Sequence, residues 1–318
     1  MKDNLYNKCT GCHVCTLCCP VFQQTHDNEL TVFGRALASQ RGAAVKDLKE
    51  SIMACILCGA CEPACPFELD TVNFTISIRA KLASNKDSSL VEQMYKGETV
   101  EDSKASENRS NNYFLAGNIL KEDEVLLAKT IELLNQDFEV LTLENDGSEL
   151  IKMLEAGLQP EDEQKKQFLK QLKGAKRLIV SDGLLQRFLR NWLPETMICS
   201  LGESLINNRS IRSAIKPSDM YIIETRGFNS DFKRQVKLYD ELRKETGCLL
   251  NLDLQRIAIP TGAACVQELS DTNILEPQKQ IQWILEGHKP ERIICESIED
   301  MKPFQQTPLK VIHISELV

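Results

Sequence analysis

The sequence lacks the features of several common protein classes. No apolar stretch reaches the ~18 residues that a membrane-spanning helix needs, and the polar N-terminus does not resemble a signal peptide. Neither a Walker loop nor a G-x-G-x-x-G turn opens a helix after a predicted strand, so nothing indicates a nucleotide or flavin site. The net charge of −8 and the scattered Lys and Arg argue against nucleic-acid binding. The four histidines are too far apart in the sequence to suggest a metal site of their own.

Cysteine, by contrast, is abundant and unevenly distributed. Nine of the thirteen cysteines lie within the first 65 residues. Such crowding is typical of metal binding in a reducing compartment and does not suggest a disulfide framework. We therefore expect a cytoplasmic protein, whose association with a membrane would need a partner.

Two cysteine runs carry the most specific signal in the chain. Each reads C-x2-C-x2-C-x3-C-P, the ligand pattern of bacterial ferredoxins that hold two [4Fe-4S] clusters. One such run alone could bind zinc, but two copies closed by Cys-Pro favour two iron–sulfur clusters. The runs are Cys9-Thr-Gly-Cys12-His-Val-Cys15-Thr-Leu-Cys18-Cys19-Pro20 and Cys55-Ile-Leu-Cys58-Gly-Ala-Cys61-Glu-Pro-Ala-Cys65-Pro66.

The fourth cysteine of each run is expected to bind the cluster of the other run, as in two-cluster ferredoxins. This crossing ties the two loops together, so iron and sulfide binding should contribute to folding. The predicted ligands of one cluster are Cys9, Cys12, Cys15 and Cys65, and those of the other are Cys55, Cys58, Cys61 and Cys19.

Two further residues of the first loop could compete for a place in the site. Cys18 has a C-x2-C spacing from Cys15, but Pro20 follows Cys19, and proline follows the fourth ligand in this motif. Cys18 is therefore interpreted as a small buried hydrophobic residue. His13 would have to replace a cysteine to bind iron, and since none is missing, we expect it near the cluster or at the surface.

The rest of the chain predicts several domains. We expect a helical cluster domain over 1–84, a polar linker over 85–112, and two α/β repeats over 113–215 and 216–318. Alternating strands and helices in the repeats indicate parallel βαβ units. The predicted strands are Phe138–Leu143, Arg177–Val180, Met220–Glu224, Gln255–Ile259 and Arg292–Cys295, and the predicted helices are Leu69–Leu82, Glu124–Leu134, Glu163–Leu172, Asp231–Glu245 and Gln278–Glu286.

With these elements the chain resembles the iron–sulfur subunits of anaerobic oxidoreductase complexes. Those of glycerol-3-phosphate dehydrogenase, of glycolate and lactate oxidases and of heterodisulfide reductase combine a helical two-cluster ferredoxin module with a duplicated α/β module. The terminal Val311–Leu317 segment also looks like the usual ending of this family. The resemblance implies anaerobic metabolism and a flavoprotein partner.

This chain departs from the family in its second half. Each α/β repeat of the family normally carries a cysteine-rich signature with a Cys-Cys-Gly, which some members use for a further cluster. Here the equivalent places hold Asn145-Asp146-Gly147, Asn118, Ser181-Asp182-Gly183 and Pro260-Thr261-Gly262. The cysteines that remain are interpreted as isolated buried thiols, although a third metal site built from Cys265 and Cys295 stays open. They are Cys199, Cys248, Cys265 and Cys295.

The resemblance implies an electron-transfer subunit without a catalytic site of its own. It would carry electrons through two [4Fe-4S] clusters between a flavoprotein oxidoreductase and an acceptor, which could be a quinone, a ferredoxin or another subunit. One alternative is a catalytic subunit of the disulfide-reductase type with a site in the α/β module. Another is a redox sensor or scaffold that has no stable flavoprotein partner.

Overall fold

The computed structural model describes residues 5–84, 110–160, 162–263 and 274–318. It combines a helical N-terminal region with two parallel four-stranded sheets, as the sequence predicts. The described chain forms two compact units, one containing the N-terminal region with residues 153–159 and 251–288, the other containing both sheets. Residues 85–109 of the predicted linker 85–112 lie outside the described residues. The predicted domain boundaries stay predictions.

Five helices make up the described N-terminal region. They are α1 (Pro20–Thr25), α2 (Val32–Gln40), α3 (Lys49–Ala54), α4 (Cys61–Ala64) and α5 (Thr71–Ser84), and short 3₁₀ turns lie at Leu5–Lys8, Val14–Thr16 and Val45–Leu48. The predicted helix Leu69–Leu82 corresponds to α5. Four of the five helices are too short to be stable in isolation, so packing must hold them.

An apolar core joins three of these helices. Val32 of α2, Ile52 of α3 and Phe74 of α5 are all buried in it. Apolar residues at helical spacing provide this face, because positions three and four apart lie on one side of a helix. Cys9, Cys15 and Cys61 pack against the same core, which therefore positions part of the cysteine set. Its members are Tyr6, Val32, Ala36, Leu48, Ile52, Phe74, Ile78 and Leu82.

The first sheet has the strand order β2-β1-β3-β4, and all its pairs are parallel. Its strands are β1 (Asn112–Leu115), β2 (Leu141–Thr142), β3 (Arg177–Val180) and β4 (Met197–Ser200). The helices of this repeat are α6 (Asn118–Glu122), α7 (Glu124–Asn135), α8 (Ser148–Ala156), α9 (Asp162–Gln171), α10 (Gly183–Trp192), α11 (Leu201–Ile206) and α12 (Arg209–Ala214).

The second sheet repeats this topology in the order β6-β5-β7-β8, again with parallel pairs only. An identical strand order in both sheets confirms the duplicated α/β module. The strands are β5 (Asp219–Ile222), β6 (Leu249–Leu250), β7 (Arg292–Cys295) and β8 (Lys310–His313). The helices are α13 (Thr225–Ser230), α14 (Phe232–Thr246), α15 (Pro277–Leu285) and α16 (Ile298–Phe304), and a 3₁₀ turn follows at Ile314–Glu316.

One predicted strand is wrong. Over Gln255–Ile259 the chain makes a turn that closes an isolated antiparallel bridge between Leu252 and Ala258. The Asp253 carboxylate accepts hydrogen bonds from the backbone N–H groups of Gln255 and Ile257, at 2.8 and 2.9 Å. Arg256 adopts a φ of 67° in this turn, which a strand does not allow.

Two other predicted strands are longer than the observed ones. Phe138–Leu143 reduces to Leu141–Thr142, because the N–H of Phe138 still bonds to the carbonyl of Leu134 at the end of α7. Met220–Glu224 becomes Asp219–Ile222, since the Glu224 side chain caps α13. In both cases a backbone N–H of the predicted strand has another partner: that of Phe138 bonds to the end of α7, and that of Glu224 donates to the Glu296 carboxylate.

Candidate iron–sulfur site

The two cysteine loops adopt the same backbone conformation at equivalent positions. Two residues after the first cysteine, Gly11 and Leu57 have φ values of 75° and 54°, and four residues after it, His13 and Gly59 have φ values of 70° and 72°. This left-handed conformation is unfavourable for leucine and histidine. Its recurrence in both loops shows that the C-x2-C-x2-C spacing imposes one tight turn.

The Cys-Pro pairs end both loops in the same way. Cys19 has φ −79° and ψ 116°, and Cys65 has φ −78° and ψ 119°. A following proline excludes the helical region for the preceding residue and holds it extended. Each fourth cysteine therefore leaves its own loop in an extended segment, and Pro20 then occupies the first turn of α1.

The cysteine side chains line two cavities. The first, of about 420 Å³ including space open to solvent, is lined by Cys9, Cys12, Cys15 and Cys65. The second, of about 430 Å³ by the same measure, is lined by Cys19, Cys55, Cys58 and Cys61. We call these site 1 and site 2. The structure thus places the eight predicted ligands around two cavities, with each fourth cysteine beside the opposite loop, and Cys61 borders site 1 as well as site 2.

The two sites share part of their walls. Val32, Cys61 and Thr71 line both cavities, so the sites are immediate neighbours. Cys12 of site 1 is exposed, whereas Cys58 of site 2 is buried. Site 1 is therefore the one with a solvent-exposed cysteine among its predicted ligands.

Site 2 also contains a buried guanidinium. Arg35 of α2 is only 2% exposed and lines the cavity with the four cysteines. It donates hydrogen bonds to the Ser51 carbonyl at 2.6 Å, to the Ser51 hydroxyl at 3.1 Å and to the Thr75 hydroxyl at 3.4 Å. These acceptors are neutral, and Arg35 forms no ion pair with any described Asp or Glu. A buried charge normally requires a countercharge.

A second buried arginine approaches site 2 from α5. Arg79, also 2% exposed, donates to the carbonyls of Cys55 at 2.6 Å and of Ile52 at 3.2 Å. Burial alone would raise the pKa of the Cys55 thiol, but Arg35 and then Arg79 bring that pKa below its ordinary value. The two arginines therefore favour the thiolate, which is the form that binds metal.

These residues fit a [4Fe-4S] cluster in each cavity. The donors are four thiols per site, and site 2 provides a buried cation that a net-negative cluster would neutralise. When bound, such clusters accept and release single electrons. Among the described residues, no three His, Cys, Asp or Glu side chains are arranged to bind a single metal ion.

Comparison with known proteins agrees with this assignment. The sequence model of a family described as a 4Fe-4S dicluster domain matches residues 6–96. This is an iron–sulfur protein. Its N-terminal domain carries 4Fe-4S clusters and has an electron-transfer role, and the dicluster description makes two clusters plausible. No curated protein and no solved structure matches the chain.

Cys18 and His13 both lie near the predicted cluster ligands, but only His13 lines a cavity. The Cys18 thiol is 2% exposed, lines neither cavity and donates to the carbonyl of Ala60 at 3.2 Å. His13 lines site 1, and its Nε2 lies 2.7 Å from the side-chain oxygen of Asn28. The second-half cysteines Cys199, Cys248 and Cys295 are buried, whereas Cys265 lies outside the described residues.

Sequence reasoning did not identify Arg35 and Arg79 as part of the site. The available signal was a charge on the apolar face of a helix. Arg35 follows the buried Val32 by three positions, and Arg79 lies three and seven positions after the buried residues Ile76 and Val72. A charge at such a position must find a buried partner.

In the α/β module, polar side chains stand at the positions where the resemblance implies thiols. Asp146 is buried, accepts from the N–H of Gly117 at 2.8 Å and forms an ion pair with Lys121 at 2.8 Å. The Ser181 hydroxyl donates to the carbonyl of Ala116 at 2.5 Å. At these described positions, Asp146 and Ser181 are held by hydrogen bonds and an ion pair within the protein.

Buried carboxyl groups lie where β5 and β7 end. Glu296 accepts hydrogen bonds from the hydroxyl of Tyr221 at 2.8 Å, from the hydroxyl of Tyr239 and from the N–H of Glu224 at 2.8 Å. Burial, only partly offset by these hydrogen bonds, raises the pKa of Glu296 to about 7. Burial also raises the pKa of Glu224 to about 8, and nearby Asp182 and Asp300 add to the effect.

These two carboxyl groups should make the α/β module less stable as the pH rises. The folded state holds protons on them that the unfolded chain, with ordinary carboxyl pKa values, releases above about pH 5. The stabilisation is therefore fully present below the unfolded pKa and is lost as the pH passes about 7 to 8. We expect the melting temperature to fall by roughly several degrees between about pH 6 and pH 8.5.

Thermal denaturation of the intact protein at several pH values would measure this dependence. Hydrogen exchange in the sheet strands would show that the change lies in the α/β module. Glu224→Gln should make the dependence shallower, because the amide carries no titrating proton and only Glu296 of the pair still titrates. Glu132→Gln, at an exposed position, is the matched control and should leave the dependence unchanged. Equal slopes for the wild type and Glu224→Gln would contradict the assignment.

None of the described helices has the length and apolar character needed to cross a bilayer.

Proposed function

We propose that this chain is the electron-transfer subunit of an oxidoreductase complex. Its clusters would carry electrons between a flavoprotein partner and a downstream acceptor, which could be a quinone, a ferredoxin or another subunit. In this proposal Cys9, Cys12, Cys15 and Cys65 bind the cluster of site 1. Cys55, Cys58, Cys61 and Cys19 bind that of site 2.

The observation that carries the proposal is the pair of adjoining cavities lined by the eight predicted cysteine ligands, with Cys61 on the walls of both. Because Cys61 and Thr71 belong to the walls of both, clusters bound there would be neighbours, which suits electron transfer from one to the other. The exposed Cys12 brings site 1 to the surface, where electrons can be exchanged with a partner. The chain's own residues hold and tune the clusters, and the substrate chemistry belongs to the partner.

The α/β module supports a docking role better than a catalytic one. A disulfide-reductase site of the family type would need its cysteine signature. In this chain Asp146 and Ser181 replace that signature and are fully engaged in hydrogen bonds and an ion pair. The resemblance to subunits of anaerobic dehydrogenase complexes, together with this loss, favours a module that binds partners.

Isolation of the tagged full-length chain from its own host, grown and lysed without oxygen, tests the proposal. We expect a flavoprotein to copurify in a fixed ratio and the cluster absorbance to bleach when the substrate of that flavoprotein is added. Cys12→Ser provides a matched comparison, because it should impair cluster reduction at site 1 while the partner still binds. A chain that purifies alone, binds no flavin and still reduces a disulfide would support the catalytic alternative.

A further inference from the structure

We propose that Arg35 is the buried countercharge of the cluster at site 2 and raises that cluster's reduction potential relative to site 1. The inference rests on the proposed assignment of Cys19, Cys55, Cys58 and Cys61 as ligands. Arg35 acts as a positioning and electrostatic residue and does not itself bind iron.

The charge of Arg35 lies beside the cysteines of site 2. The guanidinium is 2% exposed and lies on the wall of site 2. Its hydrogen bonds to Ser51, Leu30 and Thr75 fix its orientation through neutral carbonyl and hydroxyl acceptors. Its Nε has no hydrogen-bond acceptor. Tyr6, Cys55 and Cys61 are among its neighbours, and the two cysteines, both predicted iron ligands, line the same cavity as Arg35.

The charges of the groups around Arg35 decide which of them can balance its guanidinium. The buried Tyr6 side chain is a phenol, which is neutral near pH 7 and cannot balance the guanidinium. The cysteine thiolates remain as the countercharge. A cluster bound by four thiolates is net negative and becomes more negative by one electron on reduction. A fixed positive charge beside it therefore stabilises the reduced form more than the oxidised form.

The two sites differ in the charged side chains on their walls. Among the described residues, the wall of site 1 contains no Lys, Arg, Asp or Glu, and His13 is its one basic side chain. Site 2 has Arg35 on its wall, and Arg79 donates to the carbonyl of its ligand Cys55. Net charge around a cluster is one of the main determinants of its potential. The two potentials should therefore respond differently to the loss of Arg35.

The test is an anaerobic redox titration of the full-length protein, followed by electron paramagnetic resonance. Cys65→Ser, which removes a ligand of site 1, identifies the signal that belongs to site 2. In Arg35→Gln we expect the midpoint of this signal to fall by at least about 59 mV, a tenfold change in a one-electron equilibrium. The signal of site 1 should move much less.

Two further variants separate charge from packing. Arg35→Lys keeps the positive charge and should restore most of the potential, whereas a purely structural role would give no such rescue. Arg41→Gln removes an exposed arginine just beyond the end of α2 and should leave both midpoints unchanged. If Arg35→Gln loses the site 2 cluster altogether and Arg35→Lys retains it, the positive charge is needed for the cluster to bind as well as for its potential, and the countercharge role is supported.

The inference is overturned if Arg35→Gln keeps both clusters with unchanged midpoints, or if the shift appears at site 1. It is also overturned if Arg35→Lys and Arg35→Gln lower the midpoint equally. Failure of the ligand assignment gives a different result, because the wild type itself would then lack two reducible clusters.

Discussion

Replacing Cys65 with serine is expected to remove the cluster of site 1, although Cys65 belongs to the second cysteine run. Its side chain lies in the cavity lined by Cys9, Cys12 and Cys15, and the serine hydroxyl is a poor ligand for this cluster compared with a thiolate. Iron should fall from about eight to about four atoms per chain. The measurement is iron and acid-labile sulfide on anaerobically purified protein, with electron paramagnetic resonance to identify the remaining cluster.

The reciprocal variant and a matched control make this prediction specific. Cys19→Ser should remove the cluster of site 2, because Cys19 lines the cavity of Cys55, Cys58 and Cys61. Cys18→Ser changes the adjacent thiol, which lines neither cavity and donates to a carbonyl that a hydroxyl can also reach. It should retain both clusters. Loss of the site 2 signal in Cys65→Ser, with site 1 intact, would show that each run binds its own cluster.

Removing iron from the folded protein should unfold the N-terminal region while the sheets stay folded. The helices over residues 20–64 are at most nine residues long and are marginal without packing. Without clusters, Arg35 would remain buried with no countercharge. Metal binding and folding are coupled in such domains.

Hydrogen exchange before and after anaerobic chelation would measure this effect. Amides of α2, α3 and α5 should lose most of their protection, whereas those of β3 and β7 should keep theirs, because those strands are buried in the other compact unit. Reconstitution with iron and sulfide should restore protection, and addition of zinc should not. Full protection of α2 and α5 in iron-free protein would disprove the coupling.

The grouping of the cysteines around two cavities could be predicted from the sequence because cluster ligation constrains spacing directly, and their role as ligands stays a prediction. The x2 intervals force one turn, seen in the matched conformations of Gly11 and Leu57, and the Cys-Pro pairs hold Cys19 and Cys65 extended. The arginines of site 2 could not be found in this way. Their role depends on which helix faces pack together around the cysteines, and one charged residue on an apolar face does not reveal that.

The fold shows a similar division. The strands Arg177–Val180 and Arg292–Cys295 were predicted with both ends correct, because short apolar runs bounded by polar residues are typical of buried parallel strands. The error at Gln255–Ile259 arose because the side chain of Asp253 captures the backbone N–H groups of the turn. Strand β4 was not predicted, since Met197–Ser200 is a four-residue run with only two strongly apolar members at its start.

The most direct test of the central claim is the content of the wild-type protein purified without oxygen. Two [4Fe-4S] clusters require about eight irons and about eight acid-labile sulfides per chain, with an electron paramagnetic resonance signal that appears on one-electron reduction. Colourless protein containing zinc and no labile sulfide would contradict the account.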